Sequence, residues 1–215
     1  RGAVGANALR RAGGASNVLP MDEASRMTSA RAAGYETDYP WLHGSHADDI
    51  KAFDLGRAGE NRGVQSGVHF TDSYHDATDY GPNVTEVYLP KDMPRLNISE
   101  GPEALAKILG IEPEYIYGPY KGRNATTLFF DQHHGAIEPW LERNKYPGVV
   151  LTGDNMAEHA VMYQPNRIRS IGAAFDPEQA HSANLLAANP KQASIPGAVV
   201  NALDRGALPM DEASR

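Results

Sequence analysis

The stretch "SGVHFTDSYHDATDY", residues 66–80, concentrates rings and acids in a way that predicts a site for a flat ligand. If a helix begins near Ser73, then Ser73, Ala77 and Tyr80 lie at i, i+4 and i+7 on one helix face. A small residue one turn before a tyrosine leaves a slot beside the ring, where an aromatic ligand can stack on Tyr80. His69, on a preceding strand, could form the opposite wall. The alternative is that Phe70, Ala77 and Tyr80 only pack the helix against a sheet.

A second candidate is "WLHGS", residues 41–45, which reads as a short strand entering a turn. A histidine before a glycine at a strand end can hydrogen-bond a ligand while the glycine backbone approaches it closely. His43 and Gly44 are therefore candidate ligand contacts. A purely structural histidine is the alternative.

Several other kinds of chemistry find little support in the sequence. Cysteine is absent, which excludes a disulfide framework, a zinc–thiolate site and a cysteine nucleophile. His133 and His134 lack a third ligand at metal-binding spacing, so we expect a solvated turn there and no metal. Neither a phosphate loop nor a GxGxxG turn after a strand is present.

Length and composition indicate an ordinary globular protein. The chain has 215 residues, 41% of them hydrophobic and 22% charged, with a net charge of −7. Without a basic stripe, tight binding to nucleic acid is not expected. The sequence contains neither a run of about 20 apolar residues that would cross a membrane nor a visible signal peptide. It begins without methionine, as a fragment or processed product would.

A repeat defines the predicted organisation. "LPMDEASR" occurs at residues 19–26 and again at 208–215, which predicts tandem modules in a longer parent chain, with cleavage at the octapeptide as a further possibility. The compositions predict a linker at 1–18, one domain at 19–180, a second linker at 181–207 and the start of a repeated module at 208–215.

Within the domain, short strands and short helices alternate without a regular βαβ period, which favours an α+β fold. We expect helices from Pro20 to Gly34, after Ser73, at "GPEALAKILG" and at 135–144, and a mobile loop at 58–67. The expected strands are "WLHGS", "VHF", "VTEVYL", "GVVLT", "HAVMY" and part of 167–175.

The order and spacing of these motifs resemble a known fold. His43-Gly44, then Gly67-x-x-Phe70-x-Asp72 leading to Ala77-x-x-Tyr80, then "AEHAVMY" look like the ADP-ribosyltransferase fold of the His–Tyr–Glu type, found in diphtheria toxin and poly(ADP-ribose) polymerases. "MDEASR…RAAGY…LHGS" and "YQPNRIRSIGAAFDP" resemble more closely the modules of phage and bacterial polyvalent proteins. The resemblance covers residues 20–178. It implies split, mainly antiparallel β-sheets with short flanking helices around an NAD cleft.

The resemblance also implies roles for individual residues. His43 would hold an NAD ribose hydroxyl, the Gly44 backbone would hold the nicotinamide carboxamide, and Tyr80 would stack on nicotinamide beside Phe70. Ala77 stands where many relatives have a hydroxyl, and His69 where an aromatic residue is usual. These two departures imply altered NAD affinity.

The third member of the triad is open between two neighbours. Loss of nicotinamide develops oxocarbenium character at C1′ of the ribose, and a carboxylate on the 2′-hydroxyl stabilises that charge. Glu158 is the first candidate for this role. Aligning "VMYQPNRI" with the family's strand pattern instead places His159 there, and a slip of one residue reverses the strand face. Met156 stands where arginine-specific toxins carry a second glutamate, so arginine is not the expected acceptor.

These features predict a mono-ADP-ribosyltransferase that cleaves NAD as its substrate and modifies a protein or other macromolecular acceptor. An NAD glycohydrolase and a catalytically inactive binding or structural module remain alternatives. An RNA 2′-phosphotransferase shares the fold but would need a more basic cleft. We expect covalently linked neighbouring modules, no membrane partner, and a location in the cytoplasm of a bacterium or infected host, with delivery by a phage particle or secretion system as a possible route.

Overall fold

The computed structural model describes residues 22–57, 66–118, 120–121 and 125–186. The predicted linker at 1–18, most of the predicted linker at 181–207, the second copy of the octapeptide and residues 58–65 of the predicted loop lie outside these ranges. The packed chain continues past the predicted domain end at residue 180. Leu185 is buried, and its amide donates to the carbonyl of Lys51.

In the part of the chain that the structure describes, seven strands form one sheet in the order β4-β5-β6-β2-β1-β3-β7. The β4–β5 pair is parallel and the other pairs are antiparallel. The strands are β1 Trp41–Ser45, β2 Val68–Thr71, β3 Asn83–Tyr88, β4 Arg95–Asn97, β5 Gly148–Thr152, β6 His159–Met162 and β7 Arg169–Ser170. The predicted α+β class with mainly antiparallel strands is confirmed. The strand expected within 167–175 is limited to the two residues of β7, and β4 was not predicted.

The sheet separates between β1 and β2. β1 pairs with β3 along its whole length, from Trp41↔Val87 to Ser45↔Asn83. Between the described residues of β1 and β2 the register contains one pair, Leu42↔Thr71. Beyond that pair the two halves of the sheet diverge, which opens a cleft.

Among the described residues, four α-helices flank the sheet: α1 Glu23–Ala32, α2 Tyr74–Thr78, α3 Pro102–Leu109 and α4 Ala125–Asn144. As predicted, Ser73 caps α2, and its hydroxyl accepts from the Asp76 amide at 3.2 Å. The prediction of a helix at 135–144 was too short, because α4 begins ten residues earlier. The predicted turn at His133 and His134 was wrong, since both residues lie within α4 and His133 is buried.

The core has two layers, one on each face of the sheet. Because side chains alternate along a strand, Val149, Leu151 and Val161 pack with α3 and α4 on one face. Val150, Ala160 and Met162 pack with Trp41 and Phe70 on the other face. None of the helices in the described part of the chain is long and apolar enough to cross a membrane.

Candidate functional site

A cavity of about 340 Å³ lies where β1 and β2 separate. Its volume falls in the range of small-ligand pockets. Seven of the candidate site residues from the sequence line it: His43, Gly44, His69, Phe70, Ala77, Tyr80 and His159. Residues distant in sequence are thus brought to one place by the sheet and by α2.

His43 bridges the two diverging strands. Its Nδ1 lies 2.8 Å from the carbonyl oxygen of His69, so the ring takes the place of a backbone pair between β1 and β2. A carbonyl only accepts, and Nδ1 therefore donates, which leaves Nε2 of the neutral ring as a hydrogen-bond acceptor. Burial lowers the pKa of His43, although the bond to the His69 carbonyl opposes this shift. The His43 ring is held edge-on by Phe53, with 4.9 Å between ring centroids.

Gly44 lets α2 lie directly on β1. A Cβ atom at Gly44 would lie 1.7 Å from the carbonyl oxygen of Ala77, a distance that no side chain can occupy. Ala77 is itself buried. α2 ends at Thr78, earlier than the face through Ser73, Ala77 and Tyr80 requires, but the Tyr80 amide donates to the Ala77 carbonyl at 3.0 Å and continues the turn. Ala77 and Tyr80 therefore still line the same cavity.

Two histidines and a threonine form a hydrogen-bonded row across the cavity. His69 Nε2 lies 3.0 Å from the carbonyl oxygen of Ser66, and His69 Nδ1 lies 3.0 Å from His159 Nε2. Thr127 Oγ1 lies 3.2 Å from His159 Nδ1. His69, Thr127 and His159 all line the cavity, and the His69 ring rests edge-on against Phe130.

Both rings of this row are neutral near pH 7. Burial and, to a smaller extent, the neighbouring His159 lower the pKa of His69 to about 3, and the hydrogen bond to the Ser66 carbonyl only partly opposes this shift. Burial alone lowers the pKa of His159 to about 4. The row is therefore a set of dipoles at physiological pH, without a charge of its own.

Glu158 and His159, the two candidates for the third triad position, point to different surroundings. His159 begins β6 opposite Thr71 and faces the cavity. Glu158 is not among the described residues that line the cavity. Its carboxylate accepts from the Tyr39 hydroxyl at 3.1 Å and pairs with Arg95. The backbone of Glu158 is fixed as well, since its amide donates to a carboxylate oxygen of Asp72 at 3.0 Å.

The sequence did not indicate the wall that α4 provides. Thr126, Thr127, Leu128 and Asp131 line the cavity from the first turns of this helix. The available signal was the 3–4 residue spacing of Thr126, Phe129, Phe130, His133 and Ile137, all of which are buried. That spacing predicts a helix that begins before residue 135.

Carboxylates give the cavity its negative charge. Asp76, Asp79 and Asp131 are the acidic residues among the described lining residues. Burial raises the pKa of Asp131, and the nearby His134 opposes that shift. Within residues 22–57, 66–118, 120–121 and 125–186, no three histidine or acidic residues are grouped so as to hold a metal ion.

A split, mainly antiparallel sheet that opens into a cavity between a strand-borne histidine and a tyrosine is the architecture of ADP-ribosyltransferase domains. The chain belongs to the family described as ADP-ribosyltransferase in polyvalent proteins, whose pattern matches residues 40–184. No match was found among curated proteins or among solved structures.

Proposed function

We propose that this domain binds NAD in the cavity between β1 and β2 and transfers its ADP-ribose to a macromolecular acceptor, as a mono-ADP-ribosyltransferase. The observation that carries the proposal is the convergence of His43, Tyr80 and His159 on one cavity in a chain of this family. NAD is the substrate, and the reaction requires no resident cofactor.

The fit of NAD follows from the donors and acceptors on the cavity wall. His43 Nε2 is an acceptor for a ribose hydroxyl, and the Tyr80 ring beside the small Ala77 offers a stacking surface for nicotinamide. The volume of about 340 Å³ suits the nicotinamide–ribose half of NAD, with the remainder extending out of the cleft.

The reaction breaks the bond between C1′ and the nicotinamide nitrogen, and nicotinamide leaves with the electron pair. Positive charge develops on the ribose and is stabilised by nearby negative charge and dipoles. In this chain the ribose 2′-hydroxyl would donate to His159 Nδ1. The carboxylates of Asp76, Asp79 and Asp131 would supply the negative charge. An acceptor nucleophile then donates its electron pair to C1′ and releases its proton.

One specific observation favours a second candidate function. The cavity presents a neutral histidine, His159, where the resemblance expects a carboxylate, and Glu158 is paired with Arg95 instead. A domain that binds NAD without cleaving it would have this arrangement. An NAD glycohydrolase, with water as the acceptor, is the third possibility.

The decisive experiment measures nicotinamide release from NAD by the wild-type chain and three variants. We expect turnover to fall at least tenfold in Tyr80→Ala and in His159→Ala, because both side chains line the cavity. Glu158→Gln should stay within about threefold of wild type, because Glu158 lies outside the cavity. A large loss in Glu158→Gln with unchanged His159→Ala would instead assign the triad position to Glu158.

Two further measurements separate the candidates. NAD labelled on its adenosine half leaves label on macromolecules if the domain is a transferase and on free ADP-ribose if it is a glycohydrolase. Calorimetric binding of NAD without nicotinamide release would identify the inactive binding module. Absence of both binding and release at millimolar NAD would overturn the proposal.

The wider setting is part of the same proposal. The family and the repeated "LPMDEASR" support one module of a longer phage or bacterial protein, covalently linked to its neighbours and acting in the cytoplasm of a bacterium or infected host. A protein or other macromolecule would be the acceptor. Mass spectrometry of the parent protein for termini at the octapeptide tests whether the modules are separated.

A further inference from the structure

We infer that His69 is a positioning residue that holds His159 in one tautomer. In that tautomer Nδ1 of His159 faces the ligand as a hydrogen-bond acceptor. Without ligand, the Thr127 hydroxyl donates to this nitrogen. The identification of the incoming group as a ribose hydroxyl rests on the proposed function. The direction of the hydrogen bonds rests on the structure alone.

The direction is set by one peptide carbonyl. The Ser66 carbonyl has no proton to give, so His69 Nε2, 3.0 Å away, must carry the proton of that neutral ring. His69 Nδ1 is then an acceptor, and His159 Nε2, 3.0 Å from it, must donate. His159 Nδ1 is left as an acceptor, and the Thr127 hydroxyl donates to it across 3.2 Å.

The turn that carries the Ser66 carbonyl is itself fixed. Gly67 has a φ of +75°, a conformation that favours glycine, and a Cβ atom there would lie 2.5 Å from Val161 Cγ1. The Ser66 hydroxyl is also 3.2 Å from the Tyr163 hydroxyl. The carbonyl that orients the row is therefore held by the β2–β6 packing rather than by the ligand.

The other end of the row can change its partner. Thr127 is only partly buried, lines the cavity, and has a short side chain that can rotate its hydroxyl toward solvent. His159 is buried and held at Nε2, so it cannot easily turn. A ligand hydroxyl that enters the cavity can thus replace the Thr127 hydroxyl at Nδ1 without rearranging the two rings.

The test reads the tautomer of His159 by ¹⁵N–¹H nuclear magnetic resonance of the ring nitrogens, without ligand. In His69→Asn the amide oxygen stands near the former Nδ1 and can still accept, so His159 should keep its proton on Nε2. In His69→Leu no acceptor remains, and the single Nε2–H tautomer that we expect in the wild type should give way to a mixture. His181→Asn, which replaces an exposed histidine, is the matched control and should leave the His159 signals unchanged.

The threonine gives an independent variant if His69→Leu does not fold. Thr127→Val removes the hydroxyl donor, so the His159 Nδ1 resonance should move while the proton stays on Nε2. Thr127→Ser should restore the wild-type resonance. A switch of the proton to Nδ1 in Thr127→Val, or an unchanged single tautomer in His69→Leu, overturns the inference.

Activity provides the second readout and separates this inference from the proposed function. If NAD is the substrate, His69→Leu should lower nicotinamide release about tenfold, and His69→Asn should recover to within about threefold of wild type. The tautomer result alone decides whether His69 positions His159. Failure of the wild-type protein to bind or cleave NAD would refute the proposed function and would leave the tautomer result unchanged.

Discussion

Mild acid should destabilise this domain strongly, because His69 and His159 are buried as neutral rings. Their ordinary pKa of 6.5 is lowered to about 3 and about 4 in the folded protein. Between about pH 4 and pH 6.5 the unfolded chain therefore binds more protons than the folded chain. Stability rises with pH in such a window and is lost as the pH falls through it.

The size of the effect follows from the two shifts. At about pH 5 each histidine is protonated in the unfolded chain but not in the folded one. This raises the unfolding equilibrium constant about 30-fold per ring, which corresponds to about 2 kcal/mol. The two rings together should lower the free energy of unfolding by about 4 kcal/mol between about pH 7 and about pH 5. That is a large part of the 5–15 kcal/mol by which domains are usually stable. The lowered pKa of His43 acts in the same direction.

Urea unfolding at a series of pH values measures this loss. The comparison is with His69→Asn/His159→Gln, whose amides do not titrate but can still exchange a hydrogen bond. Carboxylates such as Asp72 and Asp131, whose pKa values are raised by burial, are present in both proteins and cancel in the difference. We expect the wild type to lose about 4 kcal/mol more than the variant over this range. Parallel pH profiles would refute the assignment of two buried neutral rings.

Two other predictions address α2 and α4. Gly44→Ala should lower the free energy of unfolding, measured in urea, by about 3 kcal/mol or more, because its Cβ would lie 1.7 Å from the Ala77 carbonyl oxygen. The control Gly135→Ala, with no atom within 4 Å of the new Cβ, should stabilise α4 by up to about 1 kcal/mol. Equal effects of the two substitutions would mean that α2 does not rest on β1. Asp131→Asn should lower nicotinamide release about threefold to tenfold by removing a cavity carboxylate, and Glu142→Gln, an exposed change of equal charge near the end of the same helix, should not.

The sequence alone predicts correctly the elements whose local residue pattern agrees with their surroundings in the fold. "WLHGS", "VHF" and "GVVLT" are strands where predicted, and the Ser73 cap begins α2. Local signals failed for the first half of α4, where Gly135 in the helix interior resembles a helix boundary. There the burial of Phe129, Phe130 and Ile137 outweighs the roughly 1 kcal/mol that an interior glycine costs a helix.

The choice between Glu158 and His159 could not be made from the sequence, because it depends on the first residue of β6. In the structure that register is set by contacts far along the chain. Thr71 pairs with His159, while Asp72 and Arg95 hold the backbone and side chain of Glu158. A shift of one residue would exchange the two side chains between faces, so long-range pairing determines which group faces the cavity.

In the proposed reaction, different side chains would carry out the two roles that a single glutamate would combine. A carboxylate in the third triad position accepts the ribose hydroxyl and also supplies negative charge to the developing oxocarbenium ion. If NAD binds as proposed, the neutral His159 would do only the first of these, through the acceptor nitrogen that we infer His69 to fix. Any charge stabilisation must then come from carboxylates on the helical walls, of which Asp131 lies one helical turn after Thr127. If Asp131→Asn leaves turnover unchanged while His159→Ala abolishes it, hydroxyl recognition alone sustains the reaction, and slow turnover is the expected property of this domain.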